Sequence, residues 1–320
     1  MNILLGAPLS PALQSALGKI GTVHVLPREP EREAFLSRHG GDISCLIWPP
    51  FIGGLPRDLV ARLPALRHIA GMGAGYEAID AVDAATRGIC VTNTPRAVTE
   101  DTADAGFYLV LAAMRRFPAA ERHLRAGQWT FATPYPRTTS LHGKTLGIVG
   151  FGRIGKAVAR RAEAFGLNVI YHARARKADV AYSWIESLEE TARRSDILLS
   201  ILPGGDATRG MIDAAIFKAL GADGVFVSLG RGSAVDEPAL VTALQAGTIA
   251  GAGLDVYANE PHVPAALIAM ENVVLLPHVG GATHHVIEAI GCDLVENVRA
   301  IAEGRAPPDA VPEAPWSPAK

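Results

Sequence analysis

Three short segments in the later half of the chain place polar residues where apolar runs stop. In VSLGRGSAVDE, Arg231 stands between Gly230 and Gly232. In GLDVYANEP, Asp255 ends an apolar run and Glu260 precedes Pro261. In LLPHVGGAT, His278 follows Pro277, and Gly280 and Gly281 leave room for a ligand. An arginine with bare glycine backbone on either side reads as an anion clamp. A histidine beside a carboxylate can hold and release a proton near neutral pH. Together the set suits acid–base work on a small acid. Each member also has a plainer reading. The chain has ten histidines, and His284 and His285 are near rivals. A glutamate before a proline is often an ordinary loop residue, and an arginine between glycines can simply cap a helix. The shared setting at strand ends is what raises the set above these readings.

A glycine turn, GFGRIG at 150–155, supplies a second function. The apolar run TLGIV leads into it, and the helical pattern KAVARRAEAF follows. In that context Gly150 allows the tight turn and Gly152 lets the backbone approach a pyrophosphate. Gly155 lets helix and strand pack closely. Phe151, Arg153 and Ile154 complete the turn, and the helix N-terminus offers amide N–H groups to phosphate. An acid usually stands one strand further on, to hold the ribose of NAD. Here VIYHARAR, 169–176, has Ala173 and then Arg174 and Arg176. A carboxylate would repel the 2′-phosphate of NADP, whereas a guanidinium fork suits it. The reading is therefore NADP preferred, with NAD as the lesser cofactor, and no metal. The plainer alternative is a pair of solvated arginines.

Elements must hold these residues in place. Apolar runs begin at residues 2, 23, 44, 67 and 89, and again at 145, 168, 196, 224, 251 and 272. Continuous apolar strands separated by helical patterns imply parallel sheets covered on both faces. Two such sets imply two α/β domains. Ligands of open α/β sheets bind at the C-terminal strand edge, so Leu202, Pro203, Leu229 and Gly230 are also expected to line the cofactor.

The first boundary falls at TNTPRAVTEDTAD, 92–104, where Thr99 can cap a helix with Glu100 and Asp101 in its first turn. The following ADAGFYLVLAAM predicts a long buried helix. The second boundary lies near GGAT, 280–283. There Thr283 caps a last helix whose apolar face is Ile287, Ile290, Leu294, Val298 and Ile301, ended by Gly304. The layout that fits best returns this helix to the first domain. Residues 1–98 and 285–320 then form a flavodoxin-like substrate domain. A Rossmann domain, 99–284, is inserted in it, with a cleft at the crossing. Residues 305–320 hold five prolines and read as a loose tail or a strap.

Composition narrows the function classes. A chain of 320 residues with 49% hydrophobic and 19% charged content can bury a core and is not disordered. A net charge of −2 gives no electrostatic case for nucleic acid or an anionic membrane. No apolar run is long enough to span a bilayer, and the start reads as a strand rather than a signal peptide. Cys45, Cys90 and Cys292 are far apart and read as reduced core thiols of a cytoplasmic protein.

The ordered motifs GMGAGYEAID, TNTPRAVTEDTAD, GIVGFGRIG, SLGRGSAVDEPAL, GAGLDVYANEP and LLPHVGGAT together resemble the D-isomer-specific 2-hydroxyacid dehydrogenase family, especially its glyoxylate/hydroxypyruvate reductase members. The resemblance covers nearly the whole chain. It implies that Arg231 binds the substrate carboxylate, that Glu260 is the partner of the histidine and that His278 is the acid/base. Asp255 matches a residue near the nicotinamide, and Gly73, Ala74 and Gly75 a loop whose amides meet the substrate carboxylate. It further implies a hinge and a homodimer, with GQWTFATPYPRTTSL, 127–141, as the dimer arm. The expected reaction is reduction of a small 2-oxo acid to the D-2-hydroxy acid by NADPH. Glu260 would stabilise the imidazolium, keeping a proton available near neutral pH. Trp48 and Phe51 are candidate substrate-pocket aromatics. Gly281 stands where the family often has serine, which puts one hydrogen bond in doubt. The competing readings are a non-catalytic NAD(P)H-sensing scaffold and a same-fold dehydrogenase for formate or phosphite.

Overall fold

A computed structural model describes residues 1–318, so the last two residues of the expected tail lie outside it. The chain divides after Val98 and after Ala282 into two compact units. The second boundary falls two residues before the expected one.

The first unit holds residues 1–98 and the chain from Thr283 onward. Its strands are β1 (Asn2–Leu5), β2 (Thr22–Val25), β3 (Cys45–Trp48), β4 (His68–Gly71) and β5 (Cys90–Thr92). All pair in parallel, in the order β2-β1-β3-β4-β5. That is the flavodoxin-like order. β1, β3, β4 and β5 are buried almost throughout, which explains their unbroken apolar runs. His68 is the polar exception. It is fully buried, with Nδ1 3.4 Å from Cys45 Sγ and Nε2 2.9 Å from Thr92 Oγ1. It therefore joins three adjacent strands.

The helix His284–Ala302 belongs to this unit and is capped by Thr283, whose Oγ1 accepts from Val286 N at 3.1 Å. Its buried face runs through Val286, Ile290, Leu294 and Val298. Ile287, expected on that face, is 63% exposed, because the face starts one residue earlier. Cys292 is also exposed, unlike Cys45 and Cys90, so only two of the three thiols are core residues.

The proline-rich end is a strap. Val91 N donates to Ala314 O, Val311 N to Val91 O and Asn93 N to Asp309 O, at 2.9–3.2 Å. Thr92 and Ala310 form an antiparallel bridge. The strap thus pairs with β5, the edge strand of the sheet. Asp309 anchors it. Its carboxylate is 1% exposed and accepts from Arg96 Nε and Nη2 at 3.0 Å and from Asn297 Nδ2 at 3.2 Å.

The second unit, Thr99–Ala282, carries β6 (Thr145–Val149), β7 (Asn168–His172), β8 (Ser183–Trp184), β9 (Ile197–Ser200), β10 (Val225–Ser228), β11 (Gly251–Leu254) and β12 (Val273–Leu275). The order is β12-β11-β10-β9-β6-β7-β8, all parallel. This is the doubly wound dinucleotide-binding order with one extra strand, and the order reverses between β6 and β9. The two-residue edge strand β8 carries no apolar run and was not expected. The Thr99–Arg115 helix packs on this sheet and buries Phe107, Leu109, Val110 and Met114. It is not apolar all round: Glu100 and Asp104 bind Arg160 and Arg161 at 2.6–3.0 Å. Gly106 lets Leu229 pack closely against this helix, since a Cβ there would lie 2.4 Å from Leu229 Cδ2.

Candidate active site

Register fixes the site. His172, Val149, Ser200, Ser228, Leu254 and Leu275 form one row of paired residues across the second sheet. Because every strand is parallel, each chain leaves that row in the same direction. Gly150, Leu202, Leu229, Asp255, Glu260 and His278 all follow it within six residues. The segments after five strands are thereby gathered along one C-terminal sheet edge.

The glycine turn occupies the reversal point. Gly150 has φ +92°, and a Cβ there would lie 2.7 Å from Ile201 O. Gly155 is as tight, 2.7 Å from Gly150 O. At Gly152 nothing lies within 4 Å of where a Cβ would stand. Gly152 caps the Arg153–Ala164 helix with no side-chain hydrogen bond, and the first backbone bond of the turn is Lys156 N to Gly152 O at 3.0 Å. The helix start therefore presents amides and positive dipole beside open backbone, which fits a pyrophosphate. Arg153 and Ile154 are at this surface. Phe151 is not. It is 2% exposed and stacks on Tyr171 with centroids 4.2 Å apart, so only its backbone can meet a ligand. Leu202 and Leu229 are likewise core side chains, at 8% and 5% exposure, and Pro203 is exposed beside Leu202. Arg174 and Arg176 follow β7, are exposed, and make no ion pair among the described residues.

His278 and Glu260 form a pair. His278 Nδ1 lies 2.7 Å from Glu260 Oε2, with side chains 45% and 34% exposed. Glu260 Oε1 accepts from Tyr257 N at 3.0 Å. His278 has φ +54°, a left-handed backbone that costs a non-glycine residue about 1–3 kcal/mol. Asp255 holds that conformation. Its carboxylate accepts from Val279 N at 2.8 Å and from Gly280 N at 2.9 Å. Burial pushes the Asp255 carboxyl upward, and these two N–H bonds oppose the shift. Asp255 was expected to bind cofactor directly. It is 1% exposed, and each of its oxygens accepts one N–H from the histidine loop, which it shapes. Gly280 allows the close approach, since a Cβ would lie 3.0 Å from Asp255 Oδ2.

Arg231 is half-buried, and its Nη1 donates to Gly230 O at 3.0 Å. The flanking glycines are not bare space around a cation. A Cβ on Gly230 would meet Leu202 O at 2.1 Å, and one on Gly232 would meet Tyr257 O at 2.0 Å. They press the arginine loop onto the loops on either side.

The expected substrate residues of the first unit fare unevenly. Gly73 has φ +96°, and its N–H already donates to Thr94 Oγ1 at 2.7 Å. Ala74 O accepts from Asn93 Nδ2 at 2.7 Å, which props the loop. Ala74 and Gly75 are thus the amide donors left of the expected three. Trp48 is 6% exposed and donates from Nε1 to Gly53 O at 2.8 Å, and it also lines a cavity with Gly6, Arg28 and Arg62. Phe51 is 72% exposed. Tyr257, Thr94 and Asn93 were not singled out from sequence. No periodicity marks them, because each acts through individual hydrogen bonds to other parts of the chain.

Comparison with known proteins agrees with this geometry. The sequence profile described as D-isomer specific 2-hydroxyacid dehydrogenase, NAD binding domain, matches residues 107–280. Glyoxylate/hydroxypyruvate reductase A of Arabidopsis thaliana is 38% identical over 305 residues, covering 95% of this chain and 97% of that protein. Glyoxylate reductase of Thermococcus kodakarensis is 41% identical over 299 residues, with 90% and 89% covered. Among solved structures, the NADPH-dependent glyoxylate/hydroxypyruvate reductase of Sinorhizobium meliloti in complex with NADP and malonate is 39% identical. It superposes with a TM-score of 0.90 over 100% of this chain and 99% of that one. A histidine–carboxylate pair on the edge that carries the glycine turn, and relatives of this extent, lead to one assignment: the chain belongs to the D-isomer-specific 2-hydroxyacid dehydrogenase family.

Proposed function

We propose that this protein reduces a small 2-oxo acid of the glyoxylate and hydroxypyruvate class to the D-2-hydroxy acid, using NADPH in preference to NADH. The observation that carries the reading is the Glu260–His278 pair at 2.7 Å on the sheet edge that bears the open glycine turn. Gly152 and the amides of Arg153 and Ile154 would hold the pyrophosphate. Arg174 and Arg176 would take the 2′-phosphate, being exposed cations where an NAD-specific acid is absent. The bound nicotinamide supplies the hydride that C2 of the oxo acid accepts. Arg231 pairs with the substrate carboxylate and draws charge from the carbonyl oxygen. His278 gives its Nε2 proton to the developing alkoxide while Glu260 Oε2 holds Nδ1–H, so the acid stays oriented through the transfer.

We further assign a cytoplasmic homodimer. Trp129 and Phe131 in the 127–141 arm are 57% and 101% exposed, and apolar surface of that kind favours a partner. No helix among the described residues is long and apolar enough to cross a membrane. Light scattering that gives a monomer mass, or activity confined to a membrane fraction, would refute those assignments. The central test is steady-state kcat/KM with NADPH and NADH across glyoxylate, hydroxypyruvate, phenylpyruvate, formate and phosphite. The reading requires turnover of the small 2-oxo acids. NADPH-dependent activity on none of them sinks it.

A further inference from the structure

Tyr257 contacts Glu260 and the loops that carry His278 and Arg231. Its backbone N–H donates to Glu260 Oε1 at 3.0 Å. Its hydroxyl donates to Leu276 O at 2.8 Å, two residues before His278. A second carbonyl, Leu254 O, lies at 3.4 Å, at the end of β11 and one residue before Asp255. Its own carbonyl is the surface on which Gly232 rests, one residue after Arg231. The side chain is only 6% exposed, so the ring is a fixed strut in the core cluster of this sheet.

We propose that the Tyr257 hydroxyl is a positioning group that locks the Glu260 and His278 loops in register. The proposal deepens the dehydrogenase reading and rests on it for its kinetic arm. The physical reason is geometric. Glu260 and His278 lie on separate loops, after β11 and after β12, and meet through one 2.7 Å hydrogen bond at a largely exposed position. An exposed contact of that kind sets its own geometry poorly, because both side chains can relax into water. The Leu276–Tyr257–Glu260 connection supplies a partly buried cross-tie between the two loops. Burial, with Asp255 and Glu260 nearby, raises the phenol to about 12, so it remains a donor throughout the working pH range. Phenylalanine would fill the same space and leave Leu276 O without its partner.

The test is Tyr257→Phe in the full chain, read in two independent ways. First, kcat for the preferred 2-oxo acid should fall between about fivefold and a hundredfold, the range from a lost hydrogen bond to a misplaced acid. The NADPH dissociation constant, measured by fluorescence, should stay within about twofold of the parent, a shift too small to reflect a lost contact. Second, with 15N-labelled histidine, the neutral His278 imidazole should carry its proton on Nδ1 in the parent, as a Glu260-bound ring must. In the variant it should shift toward the Nε2–H tautomer, as it should in a Glu260→Gln reference. His278→Gln identifies the resonance. A Tyr257→Phe protein that binds NADPH normally and keeps the parent kcat and the parent tautomer overturns the proposal. Loss of NADPH binding together with a lowered unfolding midpoint would also overturn it, in favour of a purely structural role. If the parent reduces no 2-oxo acid, the functional reading fails, while the tautomer comparison still decides the positioning role.

Discussion

Lowering the pH should weaken the first unit through one buried side chain. His68 is fully buried against Cys45 and Thr92, and burial lowers its pKa to about 3, from 6.5 for a free imidazole. The unfolded chain therefore takes up a proton near neutrality that the folded chain refuses. His68 contributes its full stabilisation above about pH 6.5, and that contribution is lost progressively as the pH falls toward 3. Each pH unit in that window costs about 1.4 kcal/mol, so at about pH 4.5 the unit should have lost on the order of 2–3 kcal/mol from this group alone. The assay is native-state hydrogen exchange at Ile69 and Ala70, the β4 residues beside His68, compared between the parent and His68→Gln. The variant should be the less stable at neutral pH, because Thr92 and Cys45 lose a partner. Its opening free energy should fall less steeply with acid, by about one proton per unit. Equal slopes in the two proteins would refute the assignment of a neutral buried His68.

The other expectations concern the second unit. His278→Ala should lower kcat by about a hundredfold to ten-thousandfold, the usual worth of a placed general acid, with NADPH binding retained; near-parental turnover would remove His278 from its role. Arg174→Ala combined with Arg176→Ala should raise the KM for NADPH by about ten- to a hundredfold, the cost of about 1.4–3 kcal/mol of charge-assisted bonding. The KM for NADH should change little, and equal effects on both cofactors would return these arginines to ordinary surface residues.

Much of this architecture is legible in the sequence for a physical reason. Strands buried on both faces must be apolar throughout, so they announce themselves as runs such as CLIW and VFVS. β8 is two residues at a sheet edge and leaves no such trace. Arg231, Glu260 and His278 could be picked out because parallel strands deliver their following residues to one edge. What the sequence conceals is which atoms are already spoken for. Gly73 and Asp255 have the residue types of ligand contacts, yet Thr94 and the Val279 and Gly280 amides occupy them. Phase errors have a similar origin: Val286 and Ile287 are both apolar, and only packing decides which of them faces inward.

The strap that runs from Asp309 to Ala314 along β5 carries a consequence for biosynthesis. The first five strands are made early, but the outer edge of their sheet stays bare until residues 309–314 have been translated. In the interval a row of unpaired amides and carbonyls is available to other nascent chains. The intervening 99–282 unit has all its own strands and can fold on emergence from the ribosome. Protein synthesis should therefore yield a finished second unit tethered to an incomplete first one. Chains released early would display an adhesive edge, a form suited to chaperone capture or proteolysis. The segment 309–314 thus serves as a seal that distinguishes chains carrying it from chains truncated before it.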